Sequence, residues 1–453
     1  MTGNITILIC SFIFISILVI YLAKKWPDLD IIDLFIIFII LHFGLTPFIR
    51  GLYFGKDIVF DFRNSNPLSV SLVFAQILII IVIVRLVSRY SPPYFENYLK
   101  IRYLLQQWGS INKYFLYFFY FCLIIFPLLS YYKYGVKTYI TPEDYKKIGA
   151  NLPYWFHSIR TIYNFIAFSI FLGLFGNFVK SEKRQKFLWA LLTIIFILVV
   201  TMYGRRFFLN MIAVGVIFWF VYKKEYIFRL RYIMVGVILV GAFFIFSNIY
   251  QSYRKVLFTV GEVNPKKLEN LFSAALDFNS TLYNLEIRAG TWEFNFLVID
   301  HQMDRSGMTA NGRATWEGIK SAIPRIFWRG KHFCLIDDFL ANFYNVRKKD
   351  VNIAKNIFGM AQLDYGFYSI IIVPIVILLI IVMMGWSVSI TQKYPTFLTL
   401  ITGNIIYYLI NLEENGNEIF FMLRNVLILL ILFGLYILAR KVYLNLMDYK
   451  TNH

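Results

Sequence analysis

Uncharged apolar runs about twenty residues long alternate with short polar stretches along most of this chain, rather than the three-to-four-residue alternation of an amphipathic surface helix. A run of that length wound as a helix rises about 1.5 Å per residue and covers the roughly 30 Å hydrocarbon core of a bilayer. Backbone groups in lipid have no water to bond, so each run must satisfy its own N–H and C=O groups as a helix. The runs predict spans near 5–23, 31–49, 67–88, 114–132, 157–179, 187–203, 207–222, 232–250, 366–390, 396–412 and 419–439, eleven in all. The first run has no basic start, so it is expected to stay as a helix and not to be cleaved as a signal peptide.

One stretch breaks the pattern. From Gln251 to about Tyr365 there is no span, and 15 Lys/Arg mix with 12 Asp/Glu. The chain therefore divides into spans 1–250, a large loop 251–365, and spans with a short tail 366–453. Loops of this length carry function more often than they merely connect. After Pro265, residues Leu268, Leu271, Phe272, Ala275 and Leu276 recur at helical spacing and predict a helix lying on the membrane surface. A second helix is expected after Asn311, with Trp316, Ile319 and Ile323 on one side, ending at Pro324.

Composition agrees with the pattern: 59% of the 453 residues are hydrophobic and 16% charged, with a mean hydropathy of +0.62, far from a soluble domain. The net charge of +19 changes one point, the orientation. With the N-terminus outside, the short cytoplasmic pieces hold 19 Lys/Arg and the short outer pieces 9, which predicts N-out, C-in and the large loop outside. Because the basic residues are scattered between spans, they do not form a nucleic-acid surface. Cys10 and Cys122 lie in apolar runs and Cys334 in a polar stretch, so no disulfide or zinc framework is implied.

Candidate chemistry sits where charge meets the spans. Tyr203-Gly204-Arg205-Arg206 interrupts an otherwise apolar stretch. Two adjacent guanidinium groups there either clamp a phosphate in bidentate fashion or snorkel to lipid headgroups. Near the end of the loop, Pro324-Arg325-Ile326-Phe327-Trp328-Arg329-Gly330-Lys331 alternates aromatics with cations, fitting a diphosphate with its prenyl or sugar neighbour, or an interfacial aromatic belt. Asp364 and Gln362 stand at the mouth of the ninth span, either for chemistry or as a helix cap. Glu413-Glu414 closes the tenth span and Arg424 lies inside the eleventh, a functional group or a structural ion pair. The loop's Arg288, Arg313 and Glu317 complete the candidate set. His301 and His332 are the loop's possible imidazole bases, and neither has a partner at metal-ligand spacing.

Together, the Gly204-Arg205-Arg206 hairpin, the Pro324–Lys331 stretch, the Asp364-Tyr365-Gly366 motif and Arg424 resemble the O-antigen, or Wzy-type, repeat-unit polymerases, with some likeness to enterobacterial common antigen polymerases. Such families often carry a glutamate upstream of the aromatic-Gly motif, where this chain has Gln362 and Asp364, and an arginine before the last helix, where it has Glu413-Glu414. The resemblance implies an all-α, polytopic, GT-C-like glycosyltransferase of the bacterial inner membrane with its site facing the periplasm. It would need neither metal nor cofactor, and would join undecaprenyl-diphosphate-linked oligosaccharides in the bilayer, alongside a chain-length regulator. On that footing Arg206, Arg325, Asp364 and Glu317 are the catalytic candidates. Arg205, Arg329, Arg288, Arg313, Arg424, Trp328 and Tyr203 are the substrate-binding ones.

Three other functions share parts of this pattern. An O-antigen ligase would carry a histidine motif in the loop, which His301-Gln302 and His332-Phe333 match poorly. A lipid-linked oligosaccharide flippase would show repeated halves and no enzyme loop. A polyprenyl-phosphate-sugar glycosyltransferase would want acids in its first outer loop, where Asp57 and Asp61 stand. The orientation is testable first: an alkaline-phosphatase fusion near Gly307 is expected to be active and one near Lys183 inactive, and the reverse would put the loop on the wrong side for any of the outer-face reactions.

Overall fold

The computed structural model describes residues 2–52, 66–89, 99–134, 154–200, 205–224, 290–304, 309–323, 328, 356–411 and 418–451. The described chain is nearly all helix. It comprises α1 (Thr2–Lys25), α2 (Ile31–Ile39) running through a π-helical turn (Ile40–Leu45) into α3 (Thr46–Leu52), α4 (Pro67–Ser88), α5 (Ile101–Trp108) and α6 (Lys113–Tyr134). It continues with α7 (Tyr154–Lys180), α8 (Lys183–Val200), α9 (Arg205–Lys223), α10 (Gly290–Asp304), α11 (Arg313–Ala322), α12 (Ile357–Tyr365), α13 (Ser369–Thr391), α14 (Pro395–Ile410) and α15 (Glu418–Thr451).

Among the described residues, five helical stretches are long and apolar enough to cross a membrane: Ile5–Lys25, Ile31–Ile49, Pro67–Ser88, Ile357–Thr391 and Ile419–Leu446. Shorter apolar helices lie within α6, α7, α9 and α14. The predicted span at 232–250 and the predicted surface helix after Pro265 lie outside the described residues. Two boundaries differ from expectation. The ninth span is preceded by its own helix, α12, and Gly366, at a φ of 57°, makes the break before α13. The last helix continues to Thr451, so most of the expected tail is helical.

The distribution of apolar side chains is that of a protein in lipid. Ile5, Ile9, Phe12, Ile13, Ile17 and Ile20 of α1 face outward, as do Leu427, Ile431, Leu435 and Leu438 of α15, whereas Ser11, Gln76, Asn404 and Asn425 are buried. Lipid tails are as apolar as leucine, so helix association rests on close packing and on polar groups turned inward. At the centre, α7 packs along α14, and a Cβ on Gly403 would overlap Ser169; α5 crosses α7 where a Cβ on Gly176 would overlap the Gly109 backbone. Trp108, fully buried, donates its indole N–H to Thr402 of α14 at 2.8 Å.

At one end of the bundle the turn between α1 and α2 is locked by charge. Asp30 and Asp33 cap α2 reciprocally: Asp33 N–H donates to Asp30 (3.0 Å) and Asp30 N–H to Asp33 (2.8 Å). Lys25 Nζ lies 2.7 Å from each carboxylate, and Arg85 of α4 donates to Asp30 at 3.0 Å and to Asp33 at 2.6 Å. Tyr21 donates its hydroxyl to Asp33 at 2.9 Å and takes a bond from Arg85 Nε. Two acids therefore meet two cations, and the Asp33 side chain is 0% exposed. The backbone pairing of Asp30 with Lys100 starts α5 at this same, basic end, and Lys180 and Arg440 bond Ser110 and Tyr394, just beyond α5 and just before α14.

Removing one partner of a buried ion pair leaves the other charge uncompensated, at a cost of about 3–5 kcal/mol. Arg85→Ala is expected to lower the unfolding free energy of the detergent-solubilised protein by that order, read as a lower unfolding midpoint, and Arg85→Met combined with Asp33→Leu to recover much of the loss. An unchanged midpoint in Arg85→Ala would show that the cluster does not hold α1, α2 and α4 together.

Candidate functional site

The opposite end of the bundle carries the loop helices. Helix α10 is buried through Phe294 to Ile299 and packs on α12 and α4, with Ser69 of α4 donating to Asp300 at 2.9 Å. Below it four side chains close a polar network. Gln76 donates to Gln362 (2.7 Å) and Ser369 (2.6 Å), Ser369 to Gln362 (2.8 Å), and Gln362 to Gln302 (2.6 Å), which returns a bond to the Gln362 carbonyl (2.8 Å). Networks of this kind oppose slippage between helices because it would break bonds made in an apolar surround, although Gln76 Oε1 has no partner among the described residues.

Helix α11 is shorter and more polar, and it is held from outside itself. Its N-cap is Gly312, at a φ of 80°, with no side chain to offer the orphan N–H groups of the first turn. Asp364, at the end of α12, takes that role across 50 residues of chain. One of its oxygens accepts Ala314 N–H at 3.0 Å, and the other accepts Thr315 N–H and the Thr315 hydroxyl, each at 2.6 Å. The carboxylate is 1% exposed. Ala310 N–H also donates to the Leu363 carbonyl (2.8 Å), and Tyr365 donates to Thr315 Oγ1 (3.3 Å).

At the other end of α11, Arg424 of α15 donates to the carbonyl of Ala322, the last helical residue, at 3.3 Å. An acid at the N-terminus and a base at the C-terminus both oppose the partial charges of the helix dipole. Arg424 also donates to Asn425 Oδ1 through Nε (3.1 Å) and Nη2 (3.0 Å), and lies 4.8 Å over the Phe421 ring. Among the described residues this half-buried guanidinium meets no carboxylate. Beneath it, Asn425 donates to Asn404 (3.4 Å) and Tyr408 (3.3 Å), and Asn210 of α9 donates to Asn411 at the end of α14.

The structure brings some of the sequence candidates together here. Asp364 and Arg424 grip one helix, and Glu317 lies between them on that helix, paired with Lys320; its second oxygen is buried with no hydrogen-bond partner among the described residues. Arg313 is exposed on the first turn of α11, and Trp328 is exposed. Arg205 and Arg206 open α9, one turn before Asn210, and only their backbone is described. Tyr203, Arg288, Arg325, Arg329, His332, Glu413 and Glu414 lie outside the described residues, and with them the expected convergence of Arg205, Arg206, Arg325 and Arg329.

The amides Asn210, Asn404, Asn411 and Asn425 were not among the sequence candidates. Their signal was available, since each is a polar residue in or bordering an apolar run, but a single such residue points equally to packing. Among the described residues no cluster of His, Cys, Asp and Glu fits a metal ion. No family model, curated protein or solved structure matches this chain.

If Asp364 is the distant cap of α11, its loss frees that helix first. Asp364→Ala is expected to raise hydrogen exchange across residues 313–322, consistent with the roughly 0.5–2 kcal/mol that an N-cap contributes, while α4 and α13 keep their protection. Exchange in 313–322 equal to wild type would show that the helix does not depend on this carboxylate.

Proposed function

We propose that this membrane protein is a polymerase of lipid-linked oligosaccharide repeat units, acting at the outer leaflet of the bacterial inner membrane with α11 and Arg424 facing outward. The observation that carries this reading is Arg424: a half-buried guanidinium with no described carboxylate, at the end of the bundle where the loop helix docks. Such a cation is suited to an anion that arrives with substrate. Helix α9, which starts with Arg205-Arg206, meets the end of α14 through the Asn210–Asn411 bond. The eleven-span topology and the N-out orientation belong to this proposal, supported by the cations gathered at the opposite, basic end.

The chemistry follows from where charge develops. A hydroxyl oxygen of the acceptor sugar attacks the anomeric carbon of the donor glycan. The bond from that carbon to the lipid diphosphate breaks, and its electron pair leaves with the phosphate oxygen. Fixed guanidinium groups in a site shielded from water stabilise that growing negative charge without a metal. The hydroxyl proton passes to a carboxylate. Asp364 has both oxygens engaged by α11, so in this reading it positions the helix, and Glu317, with one oxygen unpartnered, is the carboxylate available for the proton. Two substrates anchored in one membrane also lose less orientational freedom on meeting.

Removing one preorganised charge stabiliser costs roughly 100- to 1,000-fold in rate. Arg424→Ala, Arg206→Ala and Arg325→Ala are each expected to abolish the glycan ladder formed by purified protein from a lipid-linked repeat unit, with single units accumulating. The corresponding lysine variants keep charge but lose the planar fork, and should leave little polymer. Ala variants that build full-length polymer at the wild-type rate would remove these arginines from the reaction, and a wild-type protein that yields no ladder would remove the polymerase itself.

A further inference from the structure

Away from α11, between α6, α7, α14 and α15, runs a groove of about 940 Å³, large among sites that take small ligands. Its walls include Phe115, Phe119, Leu400, Ile428, Leu429 and Leu432, and Ile428 and Leu432 border the outward apolar face of α15. Its mouth at the basic end is polar, formed by Ser110, Asn112, Lys393 and Thr396.

Three cations surround that mouth. Lys393 lines it and is exposed. Lys180, the last residue of α7, donates from Nζ to Ser110 Oγ at 2.8 Å. Arg440 donates to the hydroxyl of Tyr394, another lining residue, at 3.2 Å, and lies 5.9 Å over its ring. No Asp or Glu lines the groove among the described residues.

A cationic rim on an apolar trough open to the bilayer has the polarity of a lipid with an anionic headgroup and hydrocarbon tails. A neutral lipid would leave the rim without counter-charge, and a free anion would leave the aromatic walls unfilled. A prenyl chain entering from the Arg424 end would bring its own charge to the wrong end and meet three cations with its uncharged tip. We propose that the groove is a binding site for an anionic phospholipid, its headgroup among Lys180, Lys393 and Arg440 and an acyl chain lying between Phe115, Phe119 and Leu429 towards Asn425. The site stands apart from the proposed reaction and does not depend on it. A lysine or arginine near an anionic headgroup changes its binding by about fivefold.

Native mass spectrometry of the full-length protein in detergent tests this, titrating dioleoylphosphatidylglycerol against dioleoylphosphatidylcholine. Phosphatidylglycerol is expected to be retained about fivefold or more over phosphatidylcholine. Lys393→Ala and Arg440→Ala should each reduce that preference by about fivefold, and Ile428→Trp, which fills the groove, should reduce retention of the anionic lipid. Leu435→Trp, on the bare lipid face of the same helix, should leave it unchanged. Equal retention of the two lipids, equal effects of the two tryptophans, or displacement of phosphatidylglycerol by equimolar undecaprenyl phosphate would each overturn the proposal, the last by assigning the groove to a prenyl chain.

Discussion

Helix α11 is held at both ends by charges carried on other segments, and the arrangement of the candidate site depends on this. Asp364 accepts the free N–H groups of its first turn, and Arg424 bonds the carbonyl of its last residue. A helix of 10 residues is marginal in isolation, so its place is set by what satisfies its ends. Because the acid ends α12 and the base lies on α15, the loop helix bridges two parts of the bundle that the sequence separates. Glu317 and Lys320 are carried into position by that bridge.

The rest of the bundle follows the same constraint. Polar groups turned into the bundle pair across helices: the Gln76–Gln362–Gln302–Ser369 network joins α4, α10, α12 and α13, and the Asn404–Asn425 pair joins α14 and α15. Each network sits where helices meet closely, as Trp108 does on Thr402. The two ends of the bundle use charge differently. At the basic end Asp30, Asp33, Lys25 and Arg85 pair with one another. At the α11 end Asp364 accepts from a helix terminus, and Arg424 meets no carboxylate among the described residues.

The groove between α6, α7, α14 and α15 adds a second polarity to the molecule. It runs from the basic rim towards Asn425, the residue that also accepts from Arg424. A lipid held there would pack directly against the helix that carries the arginine, and the position of α15 would then depend on the membrane around it as well as on the protein.

Much of this was legible along the chain. Apolar runs of membrane-crossing length marked the helices, because a spanning segment must satisfy its own backbone hydrogen bonds and that demand is local. Turn chemistry marked α11 between Asn311 and Pro324, and Asp364 and Arg424 stood out as charges beside or inside apolar runs. Their roles were not legible. Whether Asp364 caps its own helix or another, and whether Arg424 pairs with a neighbouring acid or bonds a distant carbonyl, depends on groups 50 and 102 residues away. The buried helix α10, the glutamine network and the Asp30–Asp33–Lys25–Arg85 cluster were hidden for the same reason. Hydropathy follows how each segment meets lipid, whereas pairing of buried polar groups is a property of surfaces in contact, and only the tertiary structure brings those surfaces together.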